Sequence, residues 1–473
     1  MAPGNEAESD SGDDLAGRSR HTGDDSSIFI ELILESKVVH EELHSCAASG
    51  DDDRLINHIA LCVNNAVAVI GADRVRVSHN SRIGSERFGD AIARALNERL
   101  GIGSTQDLVS RIRGHPVSID IERRDPVSSV RPPGPPRPVM PMTRPFLPGK
   151  HCSMNIGHNM TAFGLIDVSA DGYALTHTRR IRTDQLLDVN DIMRFIDGCT
   201  RDFGIPPIPS DGSDYRLSVS IAEPVFRGRV AFNQDARVSR ILLELQDGPL
   251  RRLCEDCARD GTGKYFVMND SCATGIYASR AAARYDGGLV GRISTRVLAI
   301  RFGTYSAISY IGDDGYNRDR FNEYSYLHID DGSRKAPSET SLIGPALSYK
   351  VFRDAGRPAA VEQGEGDGEE RRVPAALCLA TGRTIGRLVG ELQRLDPIES
   401  VIVLGSIGNG IDDIAWADMR AGIEQVVAGE ESGVPPPSLT FLPGASHRSS
   451  LLGVAMEHSE RLAAPRAPGP DGR

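Results

Sequence analysis

The stretch YFVMNDSCATGIYASRAAAR, Tyr265 to Arg284, carries a change of hydrophobic period. Tyr265 to Met268 is a short apolar run of strand length. It ends at Asn269-Asp270, and small and apolar residues at helical spacing follow. A carboxylate where a buried strand meets a helix has three readings. It is a base that takes a proton, an acceptor that holds a ligand hydroxyl, or an N-cap for the helix.

The same alternation runs outward from this stretch. Upstream, Phe163 to Val168 is apolar, and turn residues and an alternating run follow, which predicts a hairpin. NDIMRFIDGCTRDFG (190–204) predicts a helix with Ile192, Met193, Phe195 and Ile196 on one side, and YRLSVSIAEPV (215–225) a strand. Downstream, RVLAIRFGTYSAISYIG (296–312) predicts a strand with a bend near Gly303. The helix PAALCLATGRTIGRLVGELQRL, the strand ESVIVLG and the helix IAWADMRAGIEQVV then follow in order. Strands alternating with helices predict α/β lobes with parallel strands.

The chain has 473 residues, 40% hydrophobic and 25% charged, which suits two or three globular lobes. No apolar run reaches the roughly 20 residues of a membrane-spanning helix. A net charge of −11 argues against nucleic acid or an anionic membrane as a general partner. Eight cysteines without a signal-peptide pattern suggest free thiols in a reducing cytoplasm. Cys254 and Cys257 form a lone CxxC on a helical pattern, with no second pair to complete a metal site.

Residues 1–27 are polar and acidic and read as a disordered tail. A front segment, 28–124, precedes a proline-dense linker at 125–150, which includes VRPPGPPRPVMPMTRPFLPGK. A larger domain spans 151–465, with its first lobe to about 280 and its second from 281, and 466–473 form a second tail. The front segment repeats the order of features near the end of the chain: helix, turn, strand, glycine-bearing loop, helix. Ala60-Leu61-Cys62 matches Ala376-Leu377-Cys378, and Asp73-Arg74-Val75-Arg76-Val77 answers Glu399-Ser400-Val401-Ile402-Val403.

Together these pieces resemble the ROK family of repressors and sugar kinases, in the actin-like ATPase superfamily. The resemblance implies a two-lobed α/β fold of ribonuclease H-like type, with a ligand cleft between the lobes. It also implies that the front segment is a partial duplicate of the second lobe. The family's first phosphate loop, D-I-G-G-T, is matched to IDVSADGY, keeping Asp167 but replacing the glycines with Ser169 and Ala170. The second, G-T-G-I-G, is matched to FGTYSAIS, keeping Gly303 and Thr304 and placing Tyr305 and Ala307 at glycine positions. The family's N-D pair is Asn269-Asp270, with Asp270 as the proton acceptor. The E-x-G-H stretch is matched to SYLHIDD, where His328 remains. No cysteine lies between Ala273 and Leu377, so a zinc site of the family type is not expected.

By the resemblance, Asn269, Asp270, His328, Asn233 and Asp235 would contact a ligand. Asp167, Gly303, Thr304 and Gly405 would line a nucleotide. The competing readings are a helix cap for Asp270, a turn residue for Asp167, a buried or edge histidine for His328, and a polar surface loop for Asn233 and Asp235. Glycine turns let backbone amides approach phosphate oxygens, and their loss in both loops argues against ATP use.

The expectation is a degenerate family member, a pseudokinase without phosphotransfer, that binds a sugar-like ligand or a partner subunit. The alternatives are an ATP-dependent kinase of a sugar, amino sugar or cyclitol using Asp270 and Mg-ATP, or a transcriptional regulator. A homo-oligomer, or an intramolecular pseudo-dimer built with the front segment, is expected.

Overall fold

The apolar runs of the long domain become strands of two sheets. The computed structural model describes three strands at 29–33, 74–79 and 118–123, and then most of 148–205, 216–230, 265–316, 374–429 and 435–463, with Asn65 and a few residues between 322 and 347. The front strands are β1 (Phe29–Ile33), β2 (Arg74–His79) and β3 (Ser118–Arg123), paired in parallel in that order. A short strand β4 (Met142–Thr143) lies within the proline-rich linker.

The first sheet of the long domain opens earlier than the sequence predicts, with β5 (Gly149–Ile156). Its sequence GKHCSMNI hides a central strand because polar residues interrupt the apolar pattern. His151 and Ser153 are nonetheless fully buried, and the Ser153 hydroxyl donates to the Leu451 carbonyl at 2.8 Å. The hairpin of β6 (Met160–Ser169) and β7 (Gly172–Arg182) follows. Helix α1 (Val189–Asp202) then leads to β8 (Leu217–Ile221). Asp188 caps α1 by accepting from the Asp191 amide; Ile192, Phe195 and Ile196 are buried as its spacing predicts, Met193 is half-buried, and Cys199 is buried beside them. Burial pushes the Cys199 thiol up to about 11. Cys152, Cys199, Cys272 and Cys378 are all buried free thiols.

The antiparallel pair β9 (Val225–Phe226) and β10 (Arg229–Val230) precedes β11 (Tyr265–Asn269). The sheet order is β11-β8-β5-β6-β7. β8 and β11 run parallel to β5, and β6 runs antiparallel to it. Helix α2 (Asp270–Tyr285) follows β11 without a loop.

The second sheet repeats this plan. After β12 (Arg292–Ile293), which pairs with β4, comes the hairpin β13 (Val297–Arg301) and β14 (Ala307–Ile311). The run expected as one strand is thus two, with the chain direction reversed between Arg301 and Ala307. Helix α3 (Ala375–Gln393), strand β15 (Ser400–Gly405), helix α4 (Asp413–Gly429) and strand β16 (Ser438–Pro443) complete the lobe, in sheet order β14-β13-β15-β16. In both sheets a hairpin is followed by two strands parallel to its first strand. This duplicated plan is the two-lobed, ribonuclease H-like arrangement expected from the sequence.

Alternate residues of β13 and β15 enter cores on opposite faces. Leu298, Ile300, Val401 and Val403 pack with α3 and α4, while Val297, Ala299, Ile402 and Leu404 pack with Ala278 of α2. A sheet buried on both faces explains the unbroken apolar runs. Arg296 leads into β13 with a left-handed backbone (φ 57°). Its guanidinium holds Asp313 through two bonds, at 2.8 and 3.0 Å, and Glu399 at 2.8 Å.

The lobes are not successive segments. A cut at 280/281 falls inside α2, and helix α5 (Arg448–Ala463) returns to the first core through Leu451, Leu452, Val454, Ala455 and Met456. Two glycines set α2 in place. A Cβ on Gly453 of α5 would meet the Ala273 carbonyl of α2 at 1.7 Å, and one on Gly275 would meet the Ser309 hydroxyl of β14 at 2.4 Å. Further along the same helices, Arg280 and Glu460 form a buried ion pair at 2.5 Å.

Gly453→Val is expected to lose about 2 kcal/mol or more of stability, since backbone blocks the new side chain. Glu460→Ala is expected to cost about 3–5 kcal/mol by stranding Arg280, while the double variant Arg280→Met/Glu460→Met recovers most of that loss. Urea unfolding followed by circular dichroism measures both.

Candidate functional site

Parallel strands present their C-terminal ends on one side of a sheet, and the register identifies that side. Ile156, Ile221 and Asn269 stand in one row across β5, β8 and β11. The next residues in each chain direction are the Gly157–Asn159 turn, the Ala222–Pro224 loop and Asp270. In the second sheet Arg301 ends β13 in register with Leu404, and Gly405 ends β15.

Asn269 is the cap of α2. Its Oδ1 accepts from the Ser271 amide at 2.7 Å and the Cys272 amide at 3.3 Å. Its Nδ2 donates to the Glu223 carbonyl at 3.0 Å. The capping role weighed for Asp270 therefore belongs to its neighbour, and Asn269 joins β11, α2 and the loop after β8.

Asp270 opens the first turn of α2, where the helix dipole favours a negative charge. Its Oδ2 accepts from Arg301 Nη2 at 2.6 Å, and both side chains are largely buried. Arg301 Nη1 donates to the Ser450 hydroxyl at 2.7 Å. The Thr274 hydroxyl donates to the Asp270 carbonyl at 2.9 Å and lies 3.3 Å from the Ser450 hydroxyl. A ring of polar contacts thus links the end of β13 to the first turns of α2 and α5. Sequence reasoning missed Arg301, Thr274 and Ser450. Their signals were slight: a cation closing the apolar run VLAI, and a serine pair before a helix of small residues.

The structure separates Asp167 from Asp270. Asp167 is paired with Lys150, six residues back along β5 from Ile156, or roughly 20 Å at 3.3 Å per residue. It is exposed, and it lies at the opposite end of the sheet from Asp270. Phe163–Val168 belongs to the second strand of the sheet, because the disguised β5 comes first. The turn on the Asp270 side is Asn155-Ile156-Gly157-His158-Asn159. It is closed internally. The Gly157 amide donates to the Met160 carbonyl at 3.1 Å, and the Thr183 hydroxyl donates to the Gly157 carbonyl at 2.7 Å. Ser220 donates to Asn155 Oδ1 at 2.9 Å.

Asn233, Asp235, His328, Gly303 and Thr304 lie outside the described residues. Among the described residues no group of three or more His, Cys, Asp or Glu side chains is placed to hold a metal ion. Nor is any helix there long and apolar enough to cross a membrane.

No family model matches the chain, and no curated relative does. Solved structures do. A ROK family glucokinase from Streptomyces griseus, in complex with glucose and AMPPNP, is 19% identical with a TM-score of 0.45, over 65% of this chain and 98% of that one. A ROK hexokinase from Thermus thermophilus is 17% identical with a TM-score of 0.43, over 65% and 97%. A ROK family transcriptional regulator, a homolog of the E. coli MLC protein, is 13% identical with a TM-score of 0.45, over 80% and 90%. The assignment of two lobes stands on the strand order of the two sheets.

Asn269→Ala is expected to cost about 2–3 kcal/mol, from the lost cap and from the stranded Glu223 carbonyl. Asp167→Asn is expected to change stability by less than about 0.5 kcal/mol, as suits an exposed hairpin residue. Thermal and urea unfolding of the two variants test the placement.

Proposed function

We propose that this chain is a sugar-kinase-like protein that binds a sugar-like ligand or a partner subunit and does not transfer phosphate. The observation that carries this reading is the Asp270–Arg301 ion pair. A base must reach the proton it removes, at about 2.6–3.2 Å in a productive pose. Asp270 already spends that contact on a guanidinium, so taking a hydroxyl proton requires it to leave Arg301.

The residues on this side of the sheets also fit a nucleotide polyphosphate poorly. Phosphoryl transfer depends on positioning and charge stabilisation around the phosphates. The turn after β5 holds one glycine, followed by His158 and Asn159, and its Gly157 amide is bound within the hairpin. A Cβ on Gly157 would lie 3.0 Å from the Met160 carbonyl, so the turn is tight before any ligand approaches. In the second loop Tyr305 and Ala307 replace glycines. Mg-ATP therefore has no step in this reading. A cytoplasmic location belongs to the same proposal.

The parallel order β1-β2-β3 supports the proposal that the front segment copies part of the second lobe. Arg74, matched to Ser400 by sequence, begins β2 as Ser400 begins β15. Arg74 pairs with Phe29 and Ser118 as Ser400 pairs with Val297 and Ser438. Such a unit could complete an intramolecular pseudo-dimer.

ADP release from Mg-ATP, measured with a panel of hexoses, amino sugars and cyclitols, is expected to stay at the sugar-independent background. Micromolar binding of Mg-ATP by calorimetry, or sugar-dependent turnover that Asp270→Asn abolishes, would overturn the reading.

A further inference from the structure

We infer that Arg301 is an autoinhibitory residue, holding Asp270 away from any ligand hydroxyl and tying the second lobe to the first. This inference rests on the proposed sugar-like ligand and adds how access to Asp270 is controlled.

The geometry singles out Arg301 by what each of its arms holds. Nη2 reaches Asp270 at the start of α2, and Nη1 reaches Ser450 at the start of α5. Both helices pack in the first lobe's core, whereas Arg301 is the last residue of β13 in the second sheet. One side chain therefore spans three elements and two lobes. It arrives on a rigid strand whose other end is braced by Arg296 on Asp313 and Glu399.

The contact is nearly dry. The Arg301 and Asp270 side chains are 14% and 12% exposed, so salt screens the pair far less than a surface bridge. Ser450 and Thr274 complete the ring behind it. A neutral polyol competes badly here. Its hydroxyl donates to the Asp270 carboxylate, as Arg301 does, but it lacks the full positive charge that Arg301 sets opposite that carboxylate. Without the guanidinium, the same carboxylate stays at the helix N-terminus and can accept a hydroxyl directly.

This predicts a gain on removing a residue. Arg301→Gln in the full chain is expected to bind a neutral sugar from the same panel at least ten-fold more tightly than the unmodified protein, by calorimetry. Adding Asp270→Asn to Arg301→Gln is expected to abolish that gain. Arg301→Lys, whose single ammonium replaces a two-armed guanidinium, should fall between Arg301→Gln and the unmodified protein. Thermal melts identify any variant that has unfolded, and if Arg301→Gln unfolds, Arg301→Lys carries the comparison alone.

Equal sugar affinity in a folded Arg301 variant would overturn the inference, as would a gain that survives Asp270→Asn. Neither result would revive phosphotransfer, which the ADP assay on the unmodified protein judges separately.

Discussion

Helix α2 is the constraint on which the two lobes depend. It leaves β11 without a loop and meets α5 so closely that Gly453 leaves no room for a methyl group. Its opposite side meets β14 at Gly275, again without room for a side chain. Small residues on two sides of one helix let the first core and the second sheet share it. The sequence DSCATGIYASRAAAR, poor in bulky residues, is what such a shared wall requires.

The polar residues at the start of α2 follow from that position. A helix that begins deep between two sheets must satisfy its first amides without water, and Asn269 does so. The negative charge at its first turn is compensated by Arg301 from the other sheet, because a buried carboxylate without a partner is costly. Stability and chemistry therefore meet in the same carboxylate. The contact that settles Asp270 into the protein is also the one that a ligand hydroxyl would have to displace in the proposed reading.

Much of the fold could be read along the chain. The strands at 217–221, 265–269 and 400–405, and the helices at 189–202, 270–285, 375–393 and 413–429, lie where the hydrophobic periods place them. β5 escaped because it buries His151 and Ser153, the serine hydroxyl donating to the Leu451 carbonyl and His151 Nε2 lying 3.3 Å from Arg216 Nη1. Missing that one strand made Phe163–Val168 the first strand of the sheet, when it is the second. The register of β5 with β6 and β8 corrects this, since antiparallel pairing sends Asp167 back toward Gly149.

The sequence by itself determined the alternation of strands and helices, and the strand-to-helix junction at Asn269-Asp270. These are local properties, set by hydrophobic period and residue type over a few positions. Only the tertiary structure decided that Asn269 is the cap and that Asp270 is held by a cation 31 residues away. It also decided that α5 closes the first lobe from the far end of the chain. Those outcomes depend on which strand ends share a side of the sheets, and that is fixed by pairing register between distant segments rather than by any one of them.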